Sequence, residues 1–383
     1  TNDSKLFPPR PKWEEKGYRP DEYSRWLLGK WRPIEELWAE LGVKPLTEGE
    51  RRCAQPPYDR LPVPRADIPE GWILSREADA WIREGEIEDV ALPLYEGRMI
   101  GQFDFSQKGW VSGKGRGAVW EGNSWQSKQY RPQYLMAYKT CISEKVLGFK
   151  LPLMNIGSAT NMRTIISAAS MDLPCNHSIN PLRSLTSSHL LALTSLLNSF
   201  TFDSQARIRL GGLNISFYVL DEISVIQPTE LVVRALARAS LPLSLGSINF
   251  SPISLSLDCE LRSKAWKSKW ALTLHERTRR RAISDALVAM LSGLAYEDFS
   301  WLLKDCDSPV DSTRGLSPKG FWRVGRNQNP ESRHTVLSLI AYKDLEQSIQ
   351  RAGGDIASGD GSFNAQNDGD GWFIPNTLKL SDY

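Results

Sequence analysis

The sequence predicts an α+β protein, with a mixed domain over residues 90–228 followed by a helical region over 229–352. Three observations point there. Short apolar runs broken by glycine and proline fill residues 90–180, the pattern of strands joined by turns. From residue 187 onward, apolar positions recur at helical spacing instead. The composition is that of a folded chain, 41% hydrophobic, 24% charged and 10% aromatic over 383 residues. At roughly 150 residues per domain, two to three domains are expected, with enough core to need no disulfide or metal staple.

Taken in order, residues 1–89 read as a Pro- and Trp-rich N-terminal strap with two short helices. Asp21 is placed to cap one helix running through Tyr23, Trp26 and Leu27. Pro33 opens a second, in which Ile34, Leu37, Trp38 and Leu41 follow helical spacing. CAQPPYDRLPVPRADIPEG, 53–71, is too proline-dense for regular structure and reads as an extended surface strap. VALPLYEGRMIGQFDF, 90–105, reads as strands turning at Gly97 and Gly101. Residues 187–209 read as one helix with Leu190, Leu193, Leu197 and Phe200 on one face. Gly211-Gly212 reads as its C-cap and turn, and NISFYVLDEISVIQP, 214–228, as a strand stopped by Pro228. A short helix is expected over 230–240 and a loop over 242–259. A longer helical region spans 262–294, and YEDFSWLL, 296–303, starts another helix. GGDIASGDGSFNAQNDGDG, 353–371, reads as a flexible loop leading into an acidic tail that ends at 383. Its DGDG lacks the spacing and final Glu of an EF-hand.

Several function classes are excluded or disfavoured. Lys and Arg number 47 against 45 Asp and Glu, a net charge of +2, so the distribution of charge must indicate any polyanionic partner. The five cysteines, Cys53, Cys141, Cys175, Cys259 and Cys306, form no CxxC pair and read as free thiols in a reducing cytoplasm. The most apolar stretch, 190–202, is interrupted by Thr194, Ser195, Asn198 and Ser199. It falls short of the roughly twenty apolar residues a membrane span requires, so no membrane partner is expected. The opening TNDSKLFPPRPKW has no signal-peptide apolar run, and the missing initiator Met reads as a processed or excerpted chain. There is no GxxxxGK[ST], GxSxG, HExxH or strand-to-helix GxGxxG, and four dispersed histidines argue against His-based acid–base chemistry. Asp104, Asp203 and Glu222 could be imagined around a nuclease metal, but no PD…(D/E)xK spacing supports it. QPPY, 55–58, is similar to the [DN]PP[YF] loop that holds a flipped adenine. It follows ERRCA, not an apolar strand, and Gln replaces the acceptor-bearing Asp or Asn.

The informative segment lies between Asp104 and Lys139. Lys108, Lys114, Arg116, Lys128, Arg131 and Lys139 alternate there with Trp110, Trp120, Trp125, Tyr130, Tyr134 and Tyr138. Cations neutralise phosphates and release counterions, and aromatic rings can stack on exposed bases. GKGRG lets backbone amides approach a phosphate. The alternative is a sheet whose tryptophans fill a core and whose lysines face water. A second basic stripe, Arg262, Lys264, Lys267, Lys269, Arg277, Arg279, Arg280 and Arg281, is either a polyanion surface or a solvated helix face. In ARIRLGGLN, Arg207 and Arg209 lead into Gly211, Gly212 and Asn214. One cation there suits a helix C-terminus; two suggest a backbone hairpin beside a partner.

Four phrases then occur in order: ALPLYEGRMIGQFDF, SATNMRTIISAA, LLALTSLLNSFTFDSQARIRLGGLNISFYVLDEISVIQP and RRAISDALVAMLSGLAYEDFSWLL. Together, over residues 88–345, they resemble the C-terminal half of type IIG-like adenine-N6 DNA methyltransferases, including those of BREX- and DISARM-type phage defence. The resemblance implies that 90–228 is a target-recognition domain that clamps and reads double-stranded DNA. It also implies an S-adenosylmethionine-binding catalytic domain or subunit outside this chain, since the cofactor-binding glycine motif and catalytic loop are missing here. Other phage-defence proteins are implied as further partners. Candidate DNA contacts are Lys108, Trp110, Lys114, Arg116, Lys128, Arg131, Arg207, Arg209, Gly211, Gly212 and Asn214. The competing reading is a protein-interaction scaffold whose tryptophans form docking faces.

Overall fold

Proline and tryptophan do not abolish regular structure in the first ninety residues; they confine it to short pieces. The computed structural model describes residues 7–47, 49–50, 61–125, 128–141, 148–183, 185–257, 270–311, 315–367 and 370–375. Helix α1 (Arg10–Glu14) is followed by β1 (Arg19–Pro20), β2 (Trp26–Gly29) and β3 (Arg32–Pro33). The helix expected behind Asp21 is absent. Asp21 is buried, and its Oδ1 accepts the backbone N–H groups of Tyr23 and Arg25 at 3.0 and 2.7 Å. That turn uses the carboxylate that would have capped a helix. The chain leaves it as a strand, with Trp26 and Leu27 opposite Ala91 and Val90. The expectation at Pro33 holds, because α2 (Ile34–Glu40) buries Ile34, Leu37 and Trp38. They pack against Leu74 and Trp81 of β4 (Trp72–Leu74) and β5 (Ala80–Arg83), in a sheet ordered β3-β5-β4. The QPPY loop and the rest of 51–60 lie outside the described residues.

Strand β6 (Ile87–Pro93) crosses the expected boundary at residue 89. It ties the N-terminal strands to β9 (Leu135–Ala137), in a sheet ordered β1-β2-β6-β9. Between β6 and β9 the chain forms a hairpin, β7 (Lys108–Ser112) and β8 (Val119–Gly122), and after β9 comes the single-turn α3 (Tyr138–Cys141). A further antiparallel sheet runs β11-β10-β12, from β10 (Phe149–Met154), β11 (Ser170–Met171) and β12 (Ile179–Leu182).

The helix expected over 187–209 is two helices, α4 (Ser187–Leu197) and α5 (Phe200–Arg209). Asn198 breaks it by donating its amide to the carbonyls of Ser167 and Thr194, both at 2.9 Å. Ser199 Oγ then caps the new start by accepting from the Phe202 N–H at 3.1 Å. Helix α5 leaves through an extended Leu210, φ −75° and ψ 109°, so Gly211-Gly212 is no left-handed cap. The strand expected over 214–228 is replaced by α6 (Phe217–Asp221). Its backbone closes on Ser216 O instead of a neighbouring strand. Helix α7 (Glu230–Ser244), capped by Thr229, continues past the expected stop and through Pro242. Part of the expected loop beyond it is α8 (Ser251–Ser256).

Helices α9 (Leu274–Leu291) and α10 (Tyr296–Leu302) fall in the spans read as helical, and α11 (His334–Arg351) lies within the region 229–352 expected to be helical, without a spacing argument of its own. The segment 353–371 is corrected from flexible loop to α12 (Ile356–Asn364), capped by Asp355. Its Gly359 packs so tightly that an added Cβ would lie 2.5 Å from Ile349 Cα. Phe363 and the following Trp372 are buried in the main core. That core is one cluster reaching from Leu151 through Phe200, Leu287 and Ile340 to Trp372, so the boundaries expected at 228 and 352 fall inside it. Helix makes up 41% and strand 17% of the structure, a mixed α+β fold with small sheets.

Buried polar groups lock this core. Asp203 on α5 accepts the N–H groups of Thr164 and Ile165 at 2.9 and 2.8 Å. Asp285 on α9 accepts the Phe200 N–H at 2.8 Å, with Arg163 at 3.4 Å and His334 Nε2 at 2.8 Å. Burial pushes the Asp285 carboxyl upward, but Arg163, His334 and the Phe200 N–H outweigh it and hold it below the usual range. Burial dominates at His334 and drives its pKa from 6.5 to about 4.

His334 is therefore neutral in the fold across a range where the unfolded chain takes up a proton. Its contribution to stability is complete above pH 6.5 and is lost as the pH drops from 6.5 towards 4, whereas Glu96, whose carboxyl burial pushes up to about 7, contributes in the opposite sense. The His334 share of the urea-unfolding difference between pH 7.5 and pH 5.0 should be a loss of about 2 kcal/mol. His334→Gln should remove that share, read as the difference between the pH dependences of wild type and variant, whatever it does to absolute stability. An undiminished difference in the variant would place the titration elsewhere.

Candidate nucleic-acid interface

The β7–β8 hairpin pairs Lys108 with Gly122, Gly109 with Glu121, and Trp110 with Trp120. Its tip requires glycine. Gly113 has φ +79°, and a Cβ there would lie 2.3 Å from Gly117 O. Trp110 anchors the hairpin from beneath. It is buried, its indole donates to Gly113 O at 3.1 Å, and the Arg10 guanidinium lies 4.9 Å over its ring. The Trp110 N–H donates to Arg131 O at 2.9 Å, which ties the hairpin to the segment around Arg131. Lys108, Lys114, Arg116 and Arg131 are all exposed. The hairpin thus presents three cations, against the single carboxylate of Glu121.

Trp110 is corrected from stacking platform to core anchor. Lys128 is corrected as well: it is buried, with Nζ 2.7 Å from Asp104 Oδ2 and 4.0 Å from the Trp125 ring centre. Burial lowers its pKa, with Asp104 opposing that shift. Its charge is spent internally.

The turn after α5 divides the same way. Arg207 is buried and donates to four carbonyls, those of Lys319, Gly320, Asn161 and Met162, at 2.8–3.0 Å. Asp203 balances it at 3.2 Å, so Arg207 too is withdrawn as a phosphate contact. Arg209 is exposed, 3.9 Å from Glu222 and bonded to its own helix at Gln205 O. Gly211 and Gly212 are open to solvent, and Asn214 is exposed beside a bridge to Ile156. Around them the surface is apolar, with Ile208 74%, Leu213 60%, Phe217 49% and Tyr218 76% exposed. The two groups of candidates therefore sit in different chemistry, one basic and one apolar.

The described part of the basic stripe, on α9, is not a free surface. Arg262, Lys264, Lys267 and Lys269 lie outside the described residues. Arg277 is buried and donates to the carbonyls of Leu243, Ala271 and Phe103. Arg279 bonds Trp372 O at 2.8 Å, and Arg280 shares Glu276 with it. Burial brings the Arg277 pKa down to about 9, still charged at neutral pH.

Two residues beside the hairpin carry no local signal in sequence. Arg10 and Arg76 converge on Arg131 at an open depression of about 510 Å³. The long-range bridge between Pro9 and Tyr134 helps bring Arg10 there. Asp104, Asp203 and Glu222 occupy separate environments, beside Lys128, Arg207 and Arg209 respectively. Among the described residues no group of three or more His, Cys, Asp or Glu is placed to hold a metal. No described helix is long and apolar enough to cross a membrane. Cys141, Cys175 and Cys306 are free thiols; Cys53 and Cys259 lie outside the described residues.

Comparison with known proteins finds no matching family model, no matching curated protein and no matching solved structure.

The contrast between the two arginines of α5 is testable by urea denaturation. Arg207→Ala should cost about 3–5 kcal/mol, because four carbonyls and the Asp203 charge lose their partner. Arg207→Lys should recover little, since an ammonium cannot span them as a planar fork does. Arg209→Ala should stay within about 0.5 kcal/mol. Equal effects at both positions would contradict the assignment.

Proposed function

We propose that this chain grips double-stranded DNA through the β7–β8 hairpin. In this reading it is the target-recognition portion of an adenine-N6 DNA methyltransferase of restriction-modification or phage-defence type. One observation carries the DNA-binding part: Lys108, Lys114 and Arg116 stand free on a hairpin, whereas Lys128, Arg207 and Arg277 are consumed inside the fold. Free cations on a two-stranded ribbon suit phosphate neutralisation, and such a ribbon is narrow enough for the major groove. Phosphate contacts position the module and sequence is read by the few side chains that reach base edges. The methyltransferase part rests on the resemblance of the four sequence phrases. S-adenosylmethionine and the adenine-holding loop then belong to a catalytic domain or subunit beyond this chain.

A second reading, a protein-interaction scaffold, has its own support in the exposed Ile208, Leu213, Phe217 and Tyr218. Exposed apolar clusters are the usual mark of a protein partner. The two readings meet if the catalytic partner docks on that face while the hairpin holds DNA.

Fluorescence anisotropy with a random duplex at several salt concentrations separates them. Wild-type affinity should fall steeply with salt. Lys114→Ala with Arg116→Ala should weaken binding and flatten the log–log slope by about 2, near one phosphate per cation. An unchanged slope would remove the hairpin from the interface, and absence of duplex binding would favour the scaffold.

A further inference from the structure

We propose that Arg10, Arg76 and Arg131 form a phosphate-binding subsite, distinct from the exposed hairpin tip. The three arginines line the 510 Å³ depression together with Arg19, Glu14 and Glu77. Four cations thus face two carboxylates. Arg19 is already engaged at the rim, 3.9 Å from Asp79. Arg10 Nε lies 3.3 Å from Glu14 but makes no hydrogen bond, and its group stacks on Trp110. Arg76 donates once, to Tyr130 O at 3.2 Å, and its buried Nε has no partner among the described residues. Arg131 has no ion pair with any described residue.

The arrangement is costly without an anion. Buried donors that lack acceptors lose their hydration without compensation. Like charges add to this: burial brings the Arg76 pKa down to about 10, and Arg10 and Arg131 push it the same way against Glu77 and Asp21. A neighbouring depression shows the opposite arrangement. There Arg65 bonds Glu22, and Arg25 lies 2.6 Å from Asp21, so each guanidinium has its carboxylate. Of these two depressions, only the first holds guanidinium groups without a carboxylate partner, those of Arg76 and Arg131, beside an Arg10 paired with Glu14 through a contact that is not a hydrogen bond. Such planar, multidonor groups match the oxygens of a phosphate.

The ligand chemistry is therefore a phosphate group, either a diester of a nucleic-acid backbone or a free monoester. The subsite rests on the unpaired donors and does not need the hairpin to bind DNA. It does lie next to the hairpin, because Arg10 stacks on Trp110 and Arg131 O accepts the Trp110 N–H.

The test uses the full chain and inorganic phosphate, titrated calorimetrically against chloride at matched ionic strength. Wild type should bind phosphate, and Arg10→Gln and Arg131→Gln should each weaken it at least tenfold. Lys114→Ala with Arg116→Ala should leave it unchanged. Arg131 is exposed, so Arg131→Gln keeps the test decisive if Arg10→Gln fails to fold. A parallel titration with a short duplex identifies the source. Tenfold weaker duplex binding by Arg131→Gln marks a backbone diester, and loss of phosphate binding alone marks a free monoester. No phosphate binding beyond chloride, or binding that survives both glutamine variants, would overturn the subsite.

Discussion

Buried guanidinium groups bonded to loop carbonyls are the constraint on which this fold depends. The chain has much irregular backbone between its short strands and its helices, and buried carbonyls there still require donors. Arginine supplies up to five donors in one plane. Arg207 gathers residues 161–162 and 319–320 around α5, Arg333 holds Cys306, Ser308, Arg326 and Gln328, and Arg277 holds Phe103, Leu243 and Ala271. Asp203 and Asp285 supply the compensating charge near Arg207 and Arg163. Without that compensation, buried cations would destabilise the core they organise.

This use of arginine sorts the basic residues by role. Cations whose donors are saturated by carbonyls have nothing left for a ligand. Among the described residues two groups stand out: the exposed hairpin, with Lys108, Lys114 and Arg116, and the depression where Arg10 Nε and Arg76 Nε have no hydrogen-bond acceptor and Arg131 has no ion pair. Both lie on the same part of the chain, joined through Trp110. Net charge near zero conceals this, because it does not distinguish cations bonded inside the fold from those on its surface.

Legibility in the sequence depends on where each signal resides. Pro33 with Ile34, Leu37 and Trp38 is a local signal, and α2 forms as expected. The same holds for α7, α9 and α10, whose apolar spacing is continuous. Failures occur where a remote partner decides. Asp21 turns the chain into a strand because Ala91 and Val90 are there to pair with it. Asn198 splits a helix because Ser167 O accepts its amide. Residues 356–364 of the Gly/Asp-rich stretch become helical because Gly359 fits against Ile349, and Phe363 finds a place in the core. At the candidate interface, exposure of Lys114 and Arg116 comes from a glycine-rich tip that cannot bury long side chains. The inward turn of Lys128 and Arg207 depends on Asp104 and on carbonyls far away in sequence, which no spacing rule records. Arg10 and Arg76 were invisible for the same reason.

Amide hydrogen exchange with and without a duplex tests the central claim directly, that among the described residues the ligand-facing charge is that of the hairpin and its neighbouring depression. The account predicts slowed exchange in residues 108–122 and 128–134, with 277–291 and 203–210 unchanged. Slowed exchange centred on 277–291, with the hairpin unaffected, would contradict it.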